Sequence, residues 1–176
     1  MMRVYFDNAA TTAMDDRVIE AMLPFMKQHY GNPSSVHSHG REVRSAIEKA
    51  RKKVAELLQA SPSEIFFTSG GTEADNTAIV CGIDTHGITH AISSPMEHHA
   101  VLHTLEECAK KGKVQLHLLD VNESGDIDMQ QLEDLLVKHP KALVSLMHAN
   151  NEIGNINDIQ AIGALARQHG AFFHSD

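Results

Sequence analysis

From about residue 64 to the end of the chain, short apolar runs alternate with amphipathic stretches long enough for a helix. The runs are Glu64–Thr68, Thr89–Ser93, Val114–Leu119, Ala142–Met147 and Ala171–His174. Helical patterns open between them at about Gly71, His99, Met129 and Asp158. Strands separated by helices need crossover connections, and crossovers make neighbouring strands parallel with helices over the sheet. The expected fold is therefore α/β, a mostly parallel sheet flanked by helices on both faces.

The front of the chain reads differently. Asp15 or Asp16 can cap a helix reaching about His29, with Val18, Ala21, Met22, Phe25 and Met26 on one face. Pro24 predicts a kink or a break in it. Gly31-Asn32-Pro33-Ser34-Ser35 is a loop by composition, and Val43, Ala46, Ile47, Ala50, Val54, Leu57 and Leu58 mark a helix from about Arg41 to Gln59. There is no repeat and no linker. Residues 1–14 are read as an N-terminal segment, and 15–176 as an incomplete α/β domain. The chain stops as an apolar strand finishes, where another helix should cover the sheet. The expectation is the front part of a longer protein.

Composition excludes several classes. The formal net charge of −8 is wrong for a nucleic-acid clamp. No apolar run approaches the ~20 residues of a membrane span, and an acid at Asp7 rules out a secretory signal. Two cysteines are too few for a disulfide framework, so a reducing cytoplasm is expected, with Cys81 and Cys108 as buried structural thiols. The 13 histidines invite a metal reading through His37 and His39, or His98, His99 and His103. That spacing is loose and no cysteine pair joins it, so no metal site is expected.

Open α/β sheets bind ligands beyond the carboxyl ends of their strands. Thr68-Ser69-Gly70-Gly71-Thr72-Glu73 follows one strand and opens a helix: glycines admit an anion to backbone N–H groups, and the helix N-terminus favours it. Glu97-His98-His99 follows the next strand, where a histidine can stack on a flat ligand or move a proton. Met147-His148-Ala149-Asn150-Asn151-Glu152 follows another and offers amide donors, and Asp176 offers a carboxylate to a cationic nitrogen. Taken singly, these are a glycine turn, a polar helix start, an Asx turn and a helix cap. Taken together they describe a flat, phosphorylated heteroaromatic ligand, and pyridoxal phosphate fits.

The runs Tyr5-Phe6-Asp7-Asn8-Ala9-Ala10-Thr11-Thr12, Gly31-Asn32-Pro33-Ser34-Ser35-Val36-His37, Phe67-Thr68-Ser69-Gly70-Gly71-Thr72-Glu73-Ala74-Asp75-Asn76, Glu97-His98-His99-Ala100-Val101 and His148-Ala149-Asn150-Asn151-Glu152-Ile153-Gly154 occur in that order. In them the sequence resembles the cysteine desulfurases of the class V aminotransferase group, fold-type I pyridoxal phosphate enzymes, in the branch serving iron–sulfur cluster assembly and nitrogen fixation. The resemblance implies that Gly71 and Thr72 bind the phosphate and that His98 stacks on the ring and handles substrate protons. It also implies that Asn151 contacts the cofactor and that Asp176 holds the ring nitrogen protonated. His98 and Asp176 are thus the expected catalytic residues. It implies conversion of L-cysteine to L-alanine, sulfur passed as a persulfide to an acceptor or iron–sulfur scaffold protein, a homodimer with Gly31–His37 near its interface, and a cytoplasmic location. The lysine that anchors the cofactor and the cysteine that takes the sulfur lie, in the family, beyond the matching region, so these 176 residues alone are expected to be inactive. The alternatives are a class V aminotransferase or selenocysteine lyase on the same scaffold, or a non-catalytic interaction fragment.

Overall fold

The computed structural model describes residues 2–176, which form two compact units, one running to Phe67 and one from Thr68 to Asp176. The first holds α1 (Asp16–Lys27), α2 (Ser38–Leu58) and a short 3-10 turn at Pro62–Glu64. Asp15 caps α1, its carboxylate accepting the Arg17 N–H at 2.9 Å. Pro24 does not break the helix, which continues to Lys27. Proline removes one ladder bond, and the Pro24 carbonyl still accepts the N–H groups of Gln28 and His29. The apolar face of α1 stays open: Val18, Met22, Phe25 and Met26 are all exposed. α2 starts three residues before the expected Arg41, because the His37 ring caps it by accepting the Gly40 N–H at 3.4 Å.

The strand expected at Glu64–Thr68 does not form. A strand exists only where its backbone groups meet a neighbour's. Here the Ile65 carbonyl instead takes the Arg51 guanidinium, which lies 4.9 Å from the centroid of the Phe67 ring.

The second unit follows the alternating pattern. Its elements are α3 (Gly71–His86), β1 (His90–Ser93), α4 (His99–Lys110), β2 (Gln115–Leu118), α5 (Met129–Lys138), β3 (Leu143–Ser145), α6 (Ile159–Gln168) and β4 (Phe172–His174). The sheet order is β2-β1-β3-β4, with every pairing parallel. Successive side chains leave opposite faces of a strand, and two cores result. Ala91 and Leu143 pack with Ile79 and Ile83 of α3 and Val101 and Leu105 of α4. Ile92 and Val144 pack with Leu132 and Leu136 of α5 and Ile162 and Ala166 of α6. Helices therefore cover both faces, as expected.

One thiol departs from expectation. Cys108 is buried, but Cys81 is exposed. The buried face of α3 is Asp75, Ile79 and Ile83, at four-residue steps; Cys81, two residues past Ile79, falls on the opposite side. No helix among the described residues is long and apolar enough to cross a membrane.

Candidate active site

All strands of the second unit are parallel, so the loops after β1, β3 and β4 open at one end of the sheet. His98 follows β1, Asn151 follows β3 and Asp176 follows β4. Gly71 and Thr72 form the first turn of α3.

That turn is unusually free. Gly70 stands at the cap position with no side chain capping the helix. Glu73, which could fold over the N-terminus, accepts both the Ser69 N–H at 2.7 Å and the Ser69 hydroxyl at 2.6 Å. Those two bonds hold the Glu73 carboxyl below the usual carboxylate range. A Cβ at Gly70 or Gly71 would meet nothing within 4 Å. The segment 68–98 contains no Lys or Arg, so an anion here would be held by backbone N–H groups, the helix dipole and hydroxyls.

His98 caps α4. Its Nδ1 accepts the Ala100 N–H at 3.1 Å, which assigns the proton of the neutral ring to Nε2. The ring is exposed. The two asparagines of the next loop have separate tasks. Asn150 is buried; its Nδ2 donates to the Met96 carbonyl at 2.9 Å and its Oδ1 accepts from Glu152 and Ile153. It shapes the loop. Asn151 is exposed, and its one side-chain bond among the described residues is a 3.3 Å donation to the Glu152 carboxylate. Asp176 is exposed, its carboxylate without a hydrogen-bond partner among the described residues.

Beneath these residues lies a polar network that the sequence did not single out. The Ser93 hydroxyl donates to the Ser145 carbonyl at 2.9 Å, Ser145 Oγ lies 2.8 Å from His174 Nδ1, and His174 Nε2 lies 3.4 Å from Asp75 Oδ1. Burial pushes Asp75 up, with the Asp176 charge adding to it and His174 and His98 opposing. Burial pushes His174 down, so each partner is moved toward its neutral form. Glu97 is also buried. Its Oε1 accepts the Met147 N–H at 2.8 Å, while Oε2 has no partner among the described residues. Burial raises the Glu97 carboxyl to about 7; the Met147 N–H opposes this, and the charges of Asp176 and Asp75 reinforce it. Asp75, Glu97, His98, His174 and Asp176 thus share one electrostatic neighbourhood. Asp75 and Glu97 stood inside the quoted sequence runs, but their weight depends on burial that only the fold supplies.

The aminotransferase class-V family model matches residues 4–176. The putative cysteine desulfurase IscS 1 of Bacillus subtilis strain 168 is 43% identical over 178 residues, covering 100% of this chain and 46% of its own length. A solved NifS-like protein superposes with a TM-score of 0.93 at 41% identity, over 99% of this chain and 48% of that one. A structure described as SspA in complex with cysteine gives 0.89 at 35% identity, over 98% and 50%. The chain therefore spans about half the length of the relatives it matches. With a family match across nearly all of its residues and a fold shared with solved relatives, the chain belongs to the class-V aminotransferase family.

Proposed function

We propose that this chain supplies cofactor-binding residues of a pyridoxal-phosphate-dependent cysteine desulfurase, which takes sulfur from L-cysteine and leaves L-alanine. The observation carrying the reading is the gathering of Gly71, Thr72, His98, Asn151 and Asp176 at one end of a parallel sheet, beside a helix N-terminus that no side chain among the described residues caps. The likeness to desulfurases over the whole chain supports it, as does the cysteine bound in the SspA structure.

The donor set fits the cofactor. The open first turn of α3 suits a phosphate, the exposed ring of His98 suits a flat partner, and the unpaired Asp176 carboxylate suits a protonated pyridine nitrogen. When bound, pyridoxal phosphate supplies an electron sink for charge developing at the substrate Cα. The chain's own residues would do the rest. Gly71 and Thr72 hold the phosphate through backbone N–H groups and a hydroxyl. Asn151 Nδ2 donates to an oxygen on the ring. His98, anchored through Nδ1, keeps Nε2 free to stack or to carry a proton. Asp176 keeps the ring nitrogen charged, since an anion in contact favours the protonated form. A homodimer, a sulfur-accepting or iron–sulfur scaffold partner and a cytoplasmic setting complete the proposal.

The test is alanine and sulfide release from L-cysteine by a protein carrying this chain together with the remainder of the family's length, beside its Asp176→Asn variant, with cofactor loading read from absorbance. Asn keeps the shape and removes the charge. Desulfuration lower by orders of magnitude with loading only modestly reduced is the expected result, because the charge acts chiefly in the transition state. Near-normal turnover in a fully loaded variant would overturn the assignment. Selenide release from selenocysteine without sulfide from cysteine would transfer the site to a lyase.

A further inference from the structure

Away from this end of the sheet, three histidines from three elements meet. His90 opens β1, His117 lies in β2, and His139 caps the C-terminus of α5. In the β1–β2 register His117 stands opposite Ile92. Ile92 belongs to the core under α5 and α6, and His90 lies two residues before it, so both histidines leave the sheet on the α5 side. One ring nitrogen from each histidine lies within 4.8 Å of the other two. His90 Nδ1 and His117 Nε2 are 3.1 Å apart. The His139 ring stacks on both, with centroids 3.9 Å from His90 and 4.8 Å from His117. All three rings are half-buried. No carboxylate pairs with any of them among the described residues.

His90 and His117 share one N–H and one lone pair across the 3.1 Å contact, and among the described residues no acid competes for the ring nitrogens that face one another. We propose that His90, His117 and His139 bind one divalent transition-metal ion of the imidazole-preferring class, such as Zn²⁺, Co²⁺ or Ni²⁺, with solvent completing the coordination. The spacing is close to what this requires. Metal–nitrogen bonds of about 2.0–2.1 Å in a tetrahedral set imply nitrogens roughly 3.3 Å apart. The His90–His117 pair already stands near that value. The widest separation must close by no more than about 1.5 Å to reach it, and the His139 ring, whose plane lies 20° from that of His90 and 23° from that of His117, must turn out of the stack for its lone pair to meet theirs. Without metal, one ring donates N–H to the other across the 3.1 Å contact. Metal binding needs a lone pair on both, so that proton moves to the second nitrogen of its own ring, with no net proton release and no redox change. This departs from the sequence expectation of no metal site. That expectation weighed histidines close in sequence, whereas these three are brought together by the β1–β2 pairing and the end of α5.

The test is calorimetric titration of the metal-free 176-residue chain with Zn²⁺, paralleled by Co²⁺ titration followed by its visible d–d absorption. Wild type should bind one equivalent, develop the intense bands of tetrahedral Co²⁺ and melt at a higher temperature with Zn²⁺. His139→Ala should lower affinity by about tenfold or more and abolish the Co²⁺ bands and the melting shift. His90→Gln should do the same, which guards against one variant failing to fold. His103→Ala, removing a ring that stacks 4.8 Å from His99 on α4, should leave binding unchanged. Absence of saturable binding in wild type, unchanged affinity in folded His139→Ala and His90→Gln, or equal loss in His103→Ala would overturn the proposal.

Discussion

The Glu97 carboxylate accepts the Met147 backbone N–H at 2.8 Å, linking the loop after β1 to the residue just beyond β3 while its second oxygen stays buried and unpaired. Its pKa is raised to about 7 from an ordinary 4.5. An acid raised in the folded state binds more protons there than in the unfolded chain across that interval, so stability falls as pH rises from about 4.5 to 7. The size is about 3 kcal/mol, at 1.36 kcal/mol per pH unit. His174, depressed by burial, acts in the opposite sense below its ordinary 6.5. Urea denaturation of wild type and Glu97→Gln at pH 5 and pH 8 isolates the Glu97 contribution. The variant keeps an acceptor for the Met147 N–H and should be favoured over wild type more strongly at pH 8 than at pH 5. An equal difference at both values would refute the buried-acid assignment.

Gly71→Ala separates binding from folding. A Cβ there meets nothing within 4 Å, and the position opens a helix. Thermal melts should therefore match wild type within about 1 kcal/mol or show slight stabilisation. Affinity for pyridoxal phosphate, read by absorbance titration, should drop, because the methyl group occupies the approach to the helix N-terminus. Unchanged affinity would remove Gly71 from the proposed phosphate contact.

Two more glycines should behave in opposite ways. A Cβ on Gly40 would lie 2.4 Å from the Ser35 carbonyl oxygen and 2.6 Å from that of Asn32. Gly40→Ala must then displace the loop before α2, at a cost of about 2 kcal/mol or more. Gly82, inside α3, has nothing within 4 Å of its built Cβ. Gly82→Ala should stabilise by up to about 1 kcal/mol. Paired denaturant titrations check both directions.

The two thiols should label at very different rates. Cys81 is exposed, whereas burial pushes the Cys108 thiol up and shields it. A thiol-specific chromophore should modify one cysteine quickly in native conditions and the second only on unfolding. Peptide mapping that finds Cys108 modified first would contradict the packing of α4 against the sheet.

Much of the second unit was legible because its periodicity is strong. α4 and α5 begin where the sequence places them, at His99 and Met129. The misread strand at Glu64–Thr68 shows the limit of that signal. Ile65-Phe66-Phe67 has strand composition, but strand structure depends on a partner, and a local run cannot reveal whether one is present. The loop positions of His98, Asn151 and Asp176 followed from counting strands. Asp75, Glu97 and His174 did not, since their weight comes from neighbours distant in sequence. β1 sits between β2 and β3, so the loop after β1 abuts chain some fifty residues later.

The row Ser93, Ser145 and His174 has a consequence for folding as well as for chemistry. In a sheet with one wet face, a slip of one residue turns apolar side chains into water and is rejected. The central strands β1 and β3 have no wet face to enforce that rule: Ala91 and Leu143 point into one core, Ile92 and Val144 into the other, and a slip would exchange one apolar side chain for another. What tells one alignment from the next is the serine and histidine row, whose hydrogen bonds close only when Ser93, Ser145 and His174 lie abreast. The polar groups beneath the proposed cofactor thus also index the strands against one another, and mutations made there to probe catalysis would loosen the alignment of the sheet.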